Sequence, residues 1–187
     1  MEVPESGCTS DASRLLTVGH GHFDRDDLGA LLSGASVELL VDVRRFPGSR
    51  RNADVGRDAL ATWLPALGID YTWEERLGGR RRLPPDARVE DPWWTVAMFR
   101  AYAAHTRTAE FGAALDQVLA EVSERPVAVM CSESVWWRCH RRLIADVATL
   151  GHDVPVHHLM PDGRLTRHRP ADGARIHPDG RLYWDGD

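Results

Sequence analysis

The chain contains no lysine; all 23 of its basic residues apart from histidine are arginine. GC-rich coding accounts for such a bias across a whole chain, but these arginines also cluster, at Arg44-Arg45, Arg50-Arg51, Arg80-Arg81-Arg82, Arg138 and Arg141-Arg142. Clustering can build a local anion site on a chain whose net charge is -5. That net charge disfavours gross attachment to nucleic acid or to an anionic membrane surface. Long apolar runs are also lacking. Val127 to Cys131 is among the longest, whereas a membrane helix needs about 20 residues. The start, Met1-Glu2-Val3-Pro4-Glu5, is acidic and has no apolar stretch behind it, so no secretory signal is expected and the cytoplasm is the expected location. Cysteine is scarce: Cys8, Cys131 and Cys139 make an odd count that argues against a disulfide framework. Reactive thiols, metal ligands or small buried hydrophobes are what remain.

What is present is ordinary for a globular chain, with 43% hydrophobic and 27% charged residues. Residues 1–13 are polar and read as a loose tail, 14–160 as one α/β domain, and 161–187 as a C-terminal extension. Leu15 to Gly19 is a short apolar run suited to a first strand. Asp24 can cap a helix running to about Ser33. Val37 to Val43 reads as a strand buried on both faces. Asp58 to Leu67 reads as a helix and Ile69 to Trp73 as a third strand. Gly78 to Pro92 is a long loop. Helices are expected over Trp93 to Ala104, Ala109 to Glu124 and Trp136 to Leu150, the last stopped by Gly151. Strands are expected over Pro126 to Met130 and Val154 to Met160. The echo Pro161-Asp162-Gly163-Arg164-Leu165 and Pro178-Asp179-Gly180-Arg181-Leu182 is turn chemistry. It predicts two hairpin-like turns.

The alternation of strands and helices predicts a three-layer α/β fold: a mostly parallel five-stranded sheet, helices on both faces and a short hairpin-like tail. Ligands of such sheets bind beyond the carboxyl ends of the strands. The segments there are Gly19-His20, Asp42-Val43-Arg44 and Cys131-Ser132-Glu133. In a 3-2-1-4-5 strand order, strands one and four are neighbours, and His20 meets Cys131.

The richest segment runs from Cys131 through Glu133 to Cys139, His140 and Arg141. It passes from a strand end into a helix start, where free amides and the macrodipole favour an anion or a thiolate. Arg138, His140 and Arg141 would further depress the Cys139 pKa. Six residues separate Cys131 from Arg138, one too many for a cysteine-dependent phosphatase loop, and no Cys-x-x-Cys is present. Seven residues between the cysteines fit a structural zinc pair poorly. No metal ligand is therefore assigned, although Cys131, Cys139 and His140, with or without His20, could form a mixed site. Glu133 could act as acid or base or pair with Arg138 or Arg141. Asp42 could orient an arginine or bind a hydroxyl. Arg80-Arg81-Arg82 could grip phosphate or be a solvated run. Trp93-Trp94 and Trp136-Trp137 could stack on a base or pack inside.

Taken in order, Thr17-Val18-Gly19-His20, Leu40-Val41-Asp42-Val43-Arg44, Phe46-Pro47 with Ser49-Arg50-Arg51-Asn52, Leu77-Gly78-Gly79, and Cys131-x-Glu133 with Cys139-His140-Arg141-Arg142 resemble the "domain of unknown function 488" family over about residues 15–160. The resemblance implies a compact α/β domain and no particular reaction. It marks His20, Asp42, Arg44, Arg50, Gly78, Gly79, Cys131, Glu133, Cys139, His140 and Arg141 as recurrent positions. The reading that follows is an enzyme on a small anionic or nucleotide-like substrate. Cys131, Glu133, Cys139 and His140 are its catalytic candidates. His20, Asp42, Arg44, Arg50, Gly78, Gly79 and Arg141 are its substrate-binding candidates, with Arg44, Arg50 and Arg141 as an anion clamp. The sequence specifies no cofactor and gives no reason to expect a membrane partner. A nucleotide- or nucleic-acid-binding module without chemistry, and a Cys/His metal-dependent enzyme, are the alternatives.

Overall fold

The computed structural model describes residues 13–48 and 52–186. Cys8, Arg50 and all but the end of the expected N-terminal tail lie outside them. The chain runs β1 (Leu15–Gly19), α1 (Arg25–Gly34), β2 (Leu39–Asp42), α2 (Arg57–Trp63), β3 (Asp70–Trp73), α3 (Ala97–Thr106), α4 (Ala109–Glu124), β4 (Val127–Cys131), α5 (Arg141–His152), β5 (Val156–Leu159) and then three short strands, β6 (Leu165–Arg167), β7 (Ala174–Ile176) and β8 (Leu182–Trp184). The main sheet has six strands in the order β3-β2-β4-β1-β5-β6. The first five are parallel and β6 is antiparallel to β5. β7 and β8 form a separate antiparallel hairpin.

Two expectations about the sheet are corrected. The sixth strand was not foreseen, because all three residues of β6 are exposed and carry no apolar alternation. The order also differs from 3-2-1-4-5: β4 sits between β2 and β1 and pairs with both. All five residues of β4 are buried, as suits the middle of a parallel sheet covered on both faces. Strands one and four are neighbours nonetheless.

Side chains alternate across the sheet and feed two cores. Leu15, Leu39, Val41, Val127 and Val129 pack with Phe111, Leu115 and Val118 of α4 and with Leu143 and Ile144 of α5. Leu16, Val18, Leu40, Ala128 and Met130 pack with Leu28 and Leu32 of α1 and with Leu60 and Trp63 of α2. Each of these large side chains contributes roughly 1.5–3 kcal/mol by leaving water. The Asp24 carboxylate caps α1 by accepting the Asp27 N–H at 2.9 Å, as expected. α2 is shorter than expected because Pro65 falls within a 3-10 turn over Leu64–Leu67. α3 begins at Ala97, not Trp93, because Trp94 turns into the core and packs at a tilt against Phe99 and Trp184. The two Pro-Asp-Gly segments do form hairpin turns, with Gly163 and Gly180 at φ 83° and 77°.

The expected helix over Trp136 to Leu150 is broken. Trp136–Arg138 is a 3-10 turn, Cys139 is extended, and α5 starts at Arg141. Its stop is Asp153, which takes the left-handed conformation expected of a residue after the helix end, so the helix runs through Gly151.

Candidate functional site

Three strand ends meet above the middle of the sheet. The His20 N–H donates to the Cys131 carbonyl at 3.0 Å, and the Gly21 N–H to the Ser132 carbonyl at 3.1 Å. The Val43 N–H donates to the Met130 carbonyl at 3.0 Å. The close approach depends on Gly19, where a Cβ would lie 1.9 Å from the Glu133 carbonyl oxygen. So β1 and the segment after β4 meet as expected, through their backbones.

The break before α5 has a consequence for side-chain direction. Consecutive residues of an α-helix diverge by about 100°, and so could not aim at one point. With Cys139 extended, its sulfur lies 3.5 Å from His140 Nδ1, and the Cys131 sulfur lies 3.8 Å from the same nitrogen. The other ring nitrogen, Nε2, is 3.1 Å from the Val43 carbonyl. A carbonyl only accepts, so Nε2 carries a proton, and in that tautomer the Nδ1 lone pair faces both sulfurs. Both thiols are free and buried.

The two thiols are electrostatically unequal. The hydrogen bond to Cys139, then burial, raises the Cys131 thiol well above the usual range. Burial alone would raise Cys139 too. The hydrogen bond from Cys131 and the charge, backbone N–H and side chain of Arg141 outweigh it and bring Cys139 below the usual range. Arg141 is only 1% exposed. Its Nη2 donates to the Glu133 carbonyl, its Nε has no partner, and no carboxylate pairs with it among the described residues. A buried guanidinium needs a counter-charge, and the Cys139 thiol, whose pKa Arg141 helps to lower, lies beside it.

Both sulfurs and His140 line a cavity of about 150 Å³. Arg45, Phe46, Gly79, Arg80, Met98, Phe99, Tyr102, Ser132, Glu133 and Arg138 complete its wall with Arg44. Among the described residues the Glu133 carboxylate makes no ion pair, so pairing with Arg138 or Arg141 is not what holds it. Arg45, Arg80 and Arg138 are exposed and pair with no acidic side chain among the described residues. Arg45 and Arg80 lie against the ring of Phe46, which is 63% exposed.

The remaining candidates form a closed network beside this cavity. Arg44 donates from Nε to Asp42 Oδ1 at 2.8 Å, and from Nη2 to Asp42 Oδ2 and to the Val55 carbonyl. Tyr71 donates its hydroxyl to Asp42 Oδ2 at 2.8 Å. His20 Nδ1 lies 3.2 Å from the Gly21 carbonyl, so its Nε2 is the acceptor for Arg44 Nη1 at 3.2 Å. Burial, then the Arg44 charge, lowers His20 to about 4 and keeps it neutral. Its ring nitrogens are bound to Arg44 and the Gly21 carbonyl. Asp42 is wholly buried. Gly78 and Gly79 are buried at places where a Cβ would lie 2.9 Å from Arg45 Cα and 2.8 Å from His140 Nδ1. They let the loop press against the site.

Sequence reasoning placed Arg45 in an arginine cluster without assigning it to the site, and missed the roles of the rim residue Phe46, the wall residue Tyr102 and a second buried network. In the last, Thr17 Oγ1 meets His158 Nδ1 at 2.7 Å, His158 Nε2 meets His168 Nδ1 at 2.9 Å, and His168 Nε2 meets Asp146 Oδ1 at 2.7 Å. Trp184 Nε1 donates to Asp146 Oδ2 at 2.8 Å, tying the terminal hairpin to α5. Trp136 stacks on His158 with ring centroids 3.9 Å apart. A signal existed: Asp146 follows Leu143, Ile144 and Ala145 on the buried face of α5. The Arg81 guanidinium bonds the carbonyls of Gly78, Glu75 and Arg76, which uses it within its own loop.

These features define an α/β protein with a two-cysteine, one-histidine cluster at the floor of a pocket beyond the carboxyl ends of its strands. The chain belongs to the family described as "Domain of unknown function DUF488", which it matches over residues 25–148. No curated protein and no solved structure matches it. Among the described residues no helix is long and apolar enough to cross a membrane.

Proposed function

We propose that the protein is an enzyme whose reacting centre is the Cys131–Cys139–His140 cluster and whose substrate is a small anionic, nucleotide-like molecule. One observation carries the reading. Three separate chain segments bring soft nucleophilic atoms, a carboxylate without an ion pair and three guanidinium groups without an acidic partner among the described residues to a single cavity. Structural side chains satisfy one another, as those around Asp42 do, whereas this set retains bonding capacity directed at open space. Arg45, Arg80 and Arg138 take the part of the anion clamp, because Arg44 is committed to Asp42 and Arg141 to the Glu133 carbonyl and Cys139. Phe46 offers an exposed ring at the mouth for stacking. Glu133, free of ion pairs among the described residues, acts as acid or base. Catalysis itself belongs to this proposal and not to the fold, which hosts many activities.

The test is calorimetric titration of the full chain with AMP and with inorganic phosphate. AMP should bind, and an Arg45→Ala/Arg80→Ala variant should bind it at least tenfold more weakly while its melting temperature stays the same. Absence of binding of both probes, or binding indifferent to the two arginines, would overturn the nucleotide-like reading. Binding of phosphate alone, with the same arginine dependence, would support the anion site and remove the base from it.

A further inference from the structure

The cluster at the cavity floor has the dimensions of a metal site. The ligand atoms of Cys131, Cys139 and His140 lie within 4.8 Å of one another. Tetrahedral zinc, with bonds of about 2.3 Å to sulfur and about 2.0–2.1 Å to nitrogen, sets sulfur and nitrogen roughly 3.5 Å apart. Here the two nitrogen–sulfur distances are 3.5 and 3.8 Å. The histidine is also prepared as a ligand. Its Nε2–H is held by the Val43 carbonyl at 3.1 Å, the outer hydrogen bond that fixes the tautomer of metal-ligating histidines. A single Nδ1 lone pair faces two sulfurs, and a cation between them would meet all three atoms at once. The donor set selects its ion: thiolate with imidazole suits zinc, while magnesium and calcium take oxygen.

We propose that Cys131 Sγ, Cys139 Sγ and His140 Nδ1 hold a zinc-class divalent cation whose fourth coordination position opens into the cavity. The inference rests on reading this cluster as the reacting centre and adds its cofactor. Three protein ligands instead of four is the pattern of sites that act on a bound molecule, since structural zinc is closed by a fourth side chain. Two thiolates neutralise the cation, and the buried Arg141 leaves one positive charge in excess. The fourth ligand is therefore anionic or readily made so, either an oxygen of the substrate or a water that loses a proton. Glu133, on the same cavity wall, is the group to receive that proton. The spacing rule that set zinc aside from the sequence applies to closed structural sites, whose cysteines come as close pairs. Here the ligands come from the end of β4 and the entry to α5, joined by a loop.

The experiment uses the full chain, reduced, stripped with a chelator and then loaded with zinc or cobalt. After desalting, elemental analysis should find about one zinc per chain. Cobalt should give tetrahedral d–d bands and a thiolate-to-cobalt charge-transfer band that zinc abolishes. Cys139→Ser and His140→Ala should each weaken retention at least tenfold, and Glu133→Gln should keep it. The cobalt spectrum is read on the unaltered chain, so the test survives variants that fold poorly. No retained zinc and no charge-transfer band in the unaltered chain would overturn the proposal. The enzyme reading fails separately: zinc bound with no AMP or phosphate binding keeps the metal site and removes the substrate. Arginine-dependent AMP binding to a chain that takes no metal does the reverse.

Discussion

Two polar clusters lie side by side at the carboxyl ends of adjacent strands, and they differ in what they leave over. Around Asp42, both carboxylate oxygens, the Arg44 guanidinium, the His20 ring and the Tyr71 hydroxyl are bound to one another or to backbone. Around Cys139, two sulfurs face one nitrogen, Arg141 Nε has no partner among the described residues, and the group opens on a cavity. A closed buried network fixes geometry, and its removal is felt as lost stability. An open one stores binding capacity, and its removal is felt as lost function. The difference separates positioning residues from reacting ones where residue type alone does not, since each cluster contains a histidine and a buried arginine.

The largest expected effect breaks the closed cluster. Asp42→Ala leaves the Arg44 charge buried and unpaired, and should cost about 3–5 kcal/mol in urea unfolding. A cost under about 1 kcal/mol would show that Arg44 finds another partner and that the cluster is not closed. Next comes acid sensitivity in the second buried network. Burial, then the His168 charge, lowers His158 to about 2. The unfolded chain takes up this proton near the ordinary value of about 6.5 and the folded chain does not. Stability from this group is thus complete above about pH 6.5 and is lost as pH falls toward 2, by about 1.4 kcal/mol per pH unit. Urea unfolding of His158→Asn should lack this component of the slope between about pH 6.5 and 5.5; an unchanged slope would refute it. Gly79→Ala sharpens the comparison from the other side. Its methyl would lie 2.8 Å from His140 Nδ1, so it should displace the ring and abolish zinc retention while costing about 1–3 kcal/mol of stability. The smallest stability effect belongs to the rim: Arg138→Ala should stay within about 0.5 kcal/mol of the parent and still weaken AMP binding several-fold by calorimetry.

Local chemistry made much of the fold legible. β1 and α4 fall where apolar runs and helical spacing place them, and both hairpins follow from Pro-Asp-Gly. Strand order was not legible, because alternation of strands and helices fixes parallel pairing but not which strand takes the centre. The break at Cys139 was hidden too. Periodicity through Trp136 to Leu150 suits a helix, and only the need for three side chains to face one point overrides it. Cys131, Glu133, Cys139 and His140 could be picked out because they bracket a strand end and a helix start. The arginine clusters holding Arg45 and Arg80 were legible as anion-site candidates, but not that these two and Phe46 share one cavity, which forms only when the loops after β2 and β3 pack together. The commitment of Arg44 to Asp42 was equally invisible, because two residues of spacing says nothing of where a guanidinium turns.

The central claim is that the cavity delivers an anionic ligand to the open cluster. Mass-spectrometric mapping of iodoacetamide labelling, on reduced and chelator-treated protein with and without saturating AMP, tests it most directly. AMP should slow labelling of Cys131 and Cys139 at least tenfold, and the Arg45→Ala/Arg80→Ala variant should lose that protection. Labelling at the same rate with AMP bound would place the ligand elsewhere and contradict the account.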